Sequence, residues 1–173
     1  TAGTLQLGNG GSAGSLTGNV ANQGTLVFNR SDDSAFAGII SGSGGVVLAS
    51  GILRLTQAQT YTGPTQINSG ILVLPTTTAQ GLSASTLVTM ASGAALDLSN
   101  RAQTLTGLVG AGTVYSYGGN SGSLELVVAT GQTQTFSGSL GGDYPAFALT
   151  KSGTGSLTLS GTHTYTGATS VNA

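Results

Sequence analysis

Three observations predict an all-β fold of the parallel solenoid type: a recurring leucine-x-leucine triplet, dense glycine punctuation between the triplets, and a near absence of charge. The triplets are Leu5-Gln6-Leu7, Leu26-Val27-Phe28, Leu53-Arg54-Leu55, Leu72-Val73-Leu74, Leu96-Asp97-Leu98, Leu124-Glu125-Leu126 and Leu157-Thr158-Leu159. Their first leucines lie 21, 27, 19, 24, 28 and 33 residues apart. Apolar-x-apolar alternation is the period-two signature of a strand with one buried side. The outer residues of each triplet are therefore expected to form one structural core ladder.

Along the chain, each triplet is bounded by turn residues. Gly8-Asn9-Gly10-Gly11 follows the first and Gly42-Ser43-Gly44-Gly45 precedes the third. Gly118-Gly119-Asn120 and Gly141-Gly142-Asp143 flank the sixth; such clusters mark tight turns. The longer gaps hold further strand-like pieces, namely Phe36 to Ile40, Thr104 to Val109 and Thr135 to Leu140. No stretch places apolar residues at i, i+3, i+4 and i+7 over three turns, and Thr, Ser and Gly are poor helix-interior residues. A second repetition is almost literal. Gly51 to Asn68 and Gly155 to Asn172 share Gly, Leu-x-Leu, Thr-Tyr-Thr-Gly, Thr and the final Asn at a constant offset of 104.

Stacking explains the composition. A single coil cannot bury its apolar edge, so neighbouring coils pile into one continuous core. Stacked strands repeat about every 4.8 Å, and like charges in one ladder would repel at that spacing. The 173 residues hold 4 Lys and Arg, 5 Asp and Glu, and 30 Gly, which fits. Mean hydropathy is +0.23, too high for a disordered chain. At roughly 20 to 25 residues per coil, a single unit over residues 1–173 would make about 7–9 coils, a rod near 40 Å long.

The same arithmetic excludes functions. A net charge of -1 leaves no basic footprint for nucleic acid or an anionic membrane. With no cysteine and one histidine, thiol chemistry and the usual zinc sites are ruled out. No apolar run approaches the roughly 18 residues of a membrane span, so no direct membrane insertion is expected. The first residue is Thr1, which is expected for a mature fragment or an excised segment.

At Ala148-Leu149-Thr150-Lys151-Ser152-Gly153-Thr154-Gly155-Ser156-Leu157-Thr158-Leu159-Ser160-Gly161, followed by Thr164-Tyr165-Thr166-Gly167, the sequence resembles the passenger-associated transport repeat of bacterial autotransporters. Ala2 to Gly11, Gly24 to Asp32, Phe36 to Gly42, Leu96-Asp97-Leu98 and Gln103 to Leu108 continue the pattern. The resemblance implies a right-handed parallel β-helix in the secreted or surface-displayed passenger of a Gram-negative type V system. It also implies a stalk that helps the passenger cross the outer membrane, fold and adhere. The missing cysteines suit passage as an extended chain through an oxidising periplasm. The run Ser170-Val171-Asn172-Ala173 breaks off where Ala2-Gly3-Thr4-Leu5 resumes the repeat phase. Expected partners are therefore flanking coils of a longer passenger, or further copies stacked head to tail through uncapped ends into a filament. A host surface or glycan receptor is the other partner class.

Residues that carry chemistry are few. Asp97 and Glu125 share the middle slot of their triplets with Arg54, so all three are expected to point outward on similar sheets. The acids would then lie about two coils, near 9.6 Å, apart, a separation close to that of inverting glycosidases. No apolar surroundings or second base accompany them, so a solvated outer ladder is the reading adopted and no catalytic residue is assigned. A carbohydrate-active or carbohydrate-binding β-helix is the weaker alternative. Arg30-Ser31-Asp32-Asp33 supplies too few oxygen ligands for a cation site and is read as a charged turn. His163 has no neighbouring ligand and is read as a surface or turn residue; no cofactor or metal is expected. Thr60/Thr62, Thr104/Thr106, Thr133/Thr135 and Thr164/Thr166 recur too irregularly for a flat ice-binding ladder. Tyr61 and Tyr165 share parity with aliphatic residues and are expected to pack. Tyr115 and Tyr117 could form a small sugar-stacking platform, with packing as the default.

Overall fold

The computed structural model describes residues 3–77, 80–118, 122–141, 144 and 146–173. The turns expected at Gly118-Gly119-Asn120 and Gly141-Gly142-Asp143 therefore run partly outside the described residues, as do Asp143 and Thr1-Ala2. Every assigned pairing is parallel. Among the described residues no helix forms. The chain winds as a solenoid of about eight coils, each with three sides.

Face 1 stacks eight strands. They are β1 (Thr4–Leu7), the first part of β3 (Thr25–Phe36), the first part of β5 (Gly45–Leu55), β6 (Thr65–Ile67), β8 (Leu87–Met90), β11 (Gly107–Gly110), β14 (Thr133–Phe136) and β17 (Ser156–Leu159). Face 2 takes the second parts of β3 and β5, then β7 (Ile71–Val73), β9 (Ala95–Asp97), β12 (Thr113–Tyr115) and β15 (Ser139–Leu140), and ends in a parallel bridge from Leu140 to His163. Face 3 opens with β2 (Val20–Ala21) on β4 (Ile40–Ser41) and closes with β10 (Ala102–Leu105), β13 (Gly122–Val127), β16 (Phe147–Ser152) and β18 (Thr169–Val171). Between those groups single hydrogen bonds carry the stack, from Thr60 N to Ile40 O at 3.0 Å and from Gln59 N to Gly81 O at 2.8 Å.

The registers explain which residues turn inward. Along face 1 one ladder runs Leu5, Leu26, Val46, Thr65, Val88, Leu108, and the next runs Leu7, Phe28, Leu48, Ile67, Met90. Along face 2, Leu53, Leu72, Leu96, Val114 and Leu140 stack. Strand alternation sends their neighbours, such as Val47 and Arg54, outward. The inner residues form one continuous cluster through the coils.

The expected single ladder of triplets is instead divided among the three faces. Leu5, Leu7, Leu26, Phe28, Leu157 and Leu159 lie on face 1; Leu53, Leu55, Leu72, Leu74, Leu96 and Leu98 on or just beyond the strands of face 2; Leu124 and Leu126 on face 3. Leu5 is 51% exposed at one end of the stack, and Leu157 and Leu159 are half-buried against the core near the other. The cause is geometric. All three sides of a coil need the same inward pair, so one triplet fits any of them. The coil partner of Leu26 is Val46, and Leu53 follows one face later. The near-literal repeats are likewise rotated by one face. Gly51 to Asn68 runs through faces 2, 3 and 1, whereas Gly155 to Asn172 runs through faces 1, 2 and 3.

Corners bring backbone onto backbone. A Cβ on Gly63 would sit 2.3 Å from the carbonyl oxygen of Gly44, and one on Gly44 2.4 Å from that of Gly24. The glycine closing the first Thr-Tyr-Thr-Gly block is thus required by close approach. Gly70 needs its freedom twice over, with φ at +82° and only 1.9 Å from its missing Cβ to Gly51 O.

Where strands lapse, buried amides staple one coil to the next. Gln103, 1% exposed, accepts from Gly81 N at 3.0 Å and Leu82 N at 2.9 Å, and donates to Leu82 O at 3.0 Å. Gln59 accepts from Ile40 N at 2.7 Å. The inward Thr65 is satisfied by the Tyr61 hydroxyl at 2.5 Å and Thr86 Oγ1 at 3.2 Å. Tyr61 is fully buried, and burial pushes its phenol well above its ordinary value.

Candidate functional site

The two triplet acids do not share a face. Asp97 ends β9 on face 2, whereas Glu125 lies in β13 on face 3, one coil later. The expectation that they point outward on similar sheets is corrected for the reason given above: the Leu-x-Leu pattern is the same on every side. Glu125 sits in a hydroxyl ladder, accepting from Thr104 Oγ1 at 3.2 Å and Ser152 Oγ at 2.8 Å. Asp97 is not a solvated ladder residue. It is 5% exposed, and its Oδ1 accepts from Ser99 N at 2.8 Å and Tyr117 N at 3.0 Å. Those bonds hold a turn in which Ser99 and Asn100 take φ of 50° and 61°, a conformation costly for residues with a Cβ.

Arg30, Asp32 and Asp33 lie within β3, beside a register shift between Phe28 and Asp33, rather than in a turn. Arg30 Nε meets Asp32 Oδ1 at 2.9 Å, and its guanidinium also reaches the carbonyls of Ser12 and Gly14. The Arg30 hydrogen bond holds the Asp32 carboxyl below its ordinary value. Asp33 pairs with Arg54 across the coils, at 2.8 Å from Nε to Oδ1. The Thr pairs fall on different sides: Thr104 in β10 on face 3, Thr133/Thr135 in β14 on face 1. His163 Nδ1 accepts from Leu140 N at 3.3 Å, its Nε2 is buried with no hydrogen-bond partner among the described residues, and burial pushes its pKa down. Tyr165 stacks on Phe147 at 5.4 Å and bonds Thr169 Oγ1 at 2.7 Å, repeating the Tyr61 to Thr65 contact. Among the described residues no group of three His, Asp or Glu could hold a metal.

One place gathers several of these groups. Ile52, Arg54, Ile71, Val73, Asp97, Tyr115 and Tyr117 line a groove of about 220 Å³ on face 2. Tyr144 packs against both tyrosines, its ring centroid 5.7 Å from Tyr115 and 4.8 Å from Tyr117. Burial, with the nearby Asp97 charge second, raises the Tyr115 pKa, so its hydroxyl stays protonated. Tyr144 was missed in the sequence. Its signal is the coil length: it follows Tyr117 by 27 residues, close to the 26 that separate the coil partners Val114 and Leu140.

Residues 50–74 and 149–173 match the passenger-associated-transport-repeat family. The chain carries two passenger-associated transport repeats. Each repeat spans about one complete turn, the first from face 2 back to face 2 and the second from face 3 back to face 3. Over 44 residues the chain is 59% identical to a protein described as adhesin BmaC autotransporter, from Brucella suis biovar 1 (strain 1330). That match covers 25% of this chain and 1% of the length of the Brucella protein. No solved structure matches the chain.

Proposed function

We propose that this chain is a non-enzymatic β-solenoid segment of a secreted or surface-displayed autotransporter passenger in a Gram-negative bacterium, serving as a stalk in translocation, display and adhesion. The observation that carries the proposal is that both transport repeats form whole turns of one continuous stack sharing a single core. Each coil that emerges from the membrane can dock on the coil before it and bury apolar area, so folding proceeds outside by nearest-neighbour additions. The adhesin named among its relatives supports the adhesive part of this reading. To test it, the segment replaces the stalk of an unrelated autotransporter and protease accessibility is measured on intact Gram-negative cells. Surface exposure is expected; retention in the periplasm would overturn the proposal. Release of reducing ends from polysaccharides, abolished by Asp97→Asn or Glu125→Gln, would overturn its non-enzymatic part.

Head-to-tail stacking is a second reading, favoured by the two end faces. Leu5, 51% exposed, and Val171, 76% exposed, lie at opposite ends of the stack, on a strand that begins a turn and a strand that completes one. A flanking coil, from the same longer chain or from a further copy, would cover both. Light scattering over a concentration series separates them: growth of the particle with concentration supports self-stacking, and a constant monomer sinks it.

A further inference from the structure

Among the described residues, four large apolar or aromatic side chains are exposed, and two of them, Leu5 and Val171, belong to the ends of the stack. The other two, Tyr117 at 58% and Tyr144 at 41%, touch each other on the side of the rod. Single exposed apolar residues call for no explanation, but two adjoining tyrosines beside a groove do. The groove is lined by aliphatic Ile52, Ile71 and Val73, and by the polar residues Arg54, Asp97, Tyr115 and Tyr117.

We propose that this groove binds neutral hexopyranose units of a glycan, with sugar C–H faces on Tyr117 and Tyr144 and sugar hydroxyls paired with the exposed Arg54 guanidinium, while buried Asp97 fixes the turn that carries Tyr117. Ring faces beside an exposed guanidinium suit a ligand that is apolar on one side and rich in hydroxyls around its rim. The backbone beneath is already spent, because β9 pairs with both β7 and β12, and β12 also with β15. A peptide therefore cannot add as a strand here, and a ligand meets side chains alone. Charge selects within the sugars. Arg54 is paired with Asp33, and Asp97 adds a further negative charge, so uronic acids and other acidic sugars are repelled. The site is also pre-organised. Asp97 Oδ1 holds the main chain of Tyr117 at 3.0 Å and braces the turn through Ser99. The proposal stands independently of the stalk reading, since it requires only this face.

The test titrates the purified 173-residue chain with cellohexaose, mannohexaose, galactohexaose and hexagalacturonic acid, and follows the tyrosine ring signals by NMR. At least one neutral hexaose is expected to shift Tyr115, Tyr117 and Tyr144 while leaving buried Tyr61 unmoved. Tyr117→Ala, an exposed change that should preserve far-ultraviolet circular dichroism, is expected to weaken that binding about three- to tenfold, and Tyr144→Ala similarly. The proposal is overturned if no neutral hexaose moves the three rings, if hexagalacturonic acid binds as well as the neutral sugars, or if both alanine variants bind like the parent.

Discussion

Replacing Gln103 by leucine isolates what the buried amides contribute. The side chain is 1% exposed and closes four short contacts: from Gly81 N and Leu82 N to its Oε1, and from its Nε2 to the carbonyls of Leu82 and Thr104. Leucine fits the volume but leaves two buried N–H groups without an acceptor. Each orphaned donor costs about 1–3 kcal/mol, and the added apolar burial returns less than 1 kcal/mol or so for about one methyl group. A net loss of about 1–5 kcal/mol is expected. Urea unfolding followed by tyrosine fluorescence measures the global part, with exposed Gln66→Leu in β6 as a control expected within about 0.5 kcal/mol. Because each coil contacts only its neighbours, part of the loss will be local. Hydrogen exchange at Gly81 and Leu82 should therefore quicken by about fivefold or more, at about 1.4 kcal/mol per tenfold. An unchanged urea midpoint with both amides still protected would refute the staple.

Leu96→Ala, in the fully buried ladder of face 2, is expected to cost about 2–5 kcal/mol by the same urea assay. Gly63→Ala drives a methyl against Gly44 O and should cost about 1–3 kcal/mol, with the slip visible as faster exchange at the neighbouring coil. Asp33→Asn breaks an ion pair whose side chains are 47% and 48% exposed, so a change under about 1 kcal/mol is expected in low salt and less at high salt. His163 is held with a lowered pKa, so the unfolded chain binds its proton more readily than the folded one. Its stabilisation is present above the ordinary value of about 6.5 and lost as pH falls below it. Protection in β17 and β18, taken relative to the intrinsic exchange rate at each pH, should fall at pH 5 compared with pH 7.5, and His163→Gln should flatten that fall. At the alkaline end Tyr61, whose pKa is raised by burial, stabilises below about pH 10 and loses that contribution as pH climbs above it.

The strands were legible because period two survives in sequence: Leu124 and Leu126 point inward, and Glu125 between them does not. Which side of the coil a triplet occupies was not legible. Leu53-Arg54-Leu55 on face 2 and Leu157-Thr158-Leu159 on face 1 meet the same local demand, and only hydrogen bonds to other coils distinguish them. Gln103 offered a signal in sharing parity with Leu105, yet polarity alone reads as surface until the lapsed strand at residues 81–82 is seen beside it. Asp97 was placed outward by parity. What parity could not convey is that the following turn folds back and buries it. At the groove, Tyr115 and Tyr117 were visible as a pair, but Tyr144 joins them only through stacking of the next coil.

The rotation of the two repeats by one face is the central claim, and paired cysteines test it most directly in a chain that has none of its own. Thr135 and Thr158 are exposed register partners on adjacent strands of face 1, so their Cα atoms lie about 5 Å apart, within disulfide reach. Glu125 and Thr158 are the neighbours that a single ladder of successive triplets would demand, and here they lie on different faces. Under mild oxidation, the Thr135→Cys/Thr158→Cys chain should form a reducible intramolecular cross-link and the Glu125→Cys/Thr158→Cys chain should not. The reverse pattern would contradict the three-sided coil and the placement of every ladder built on it.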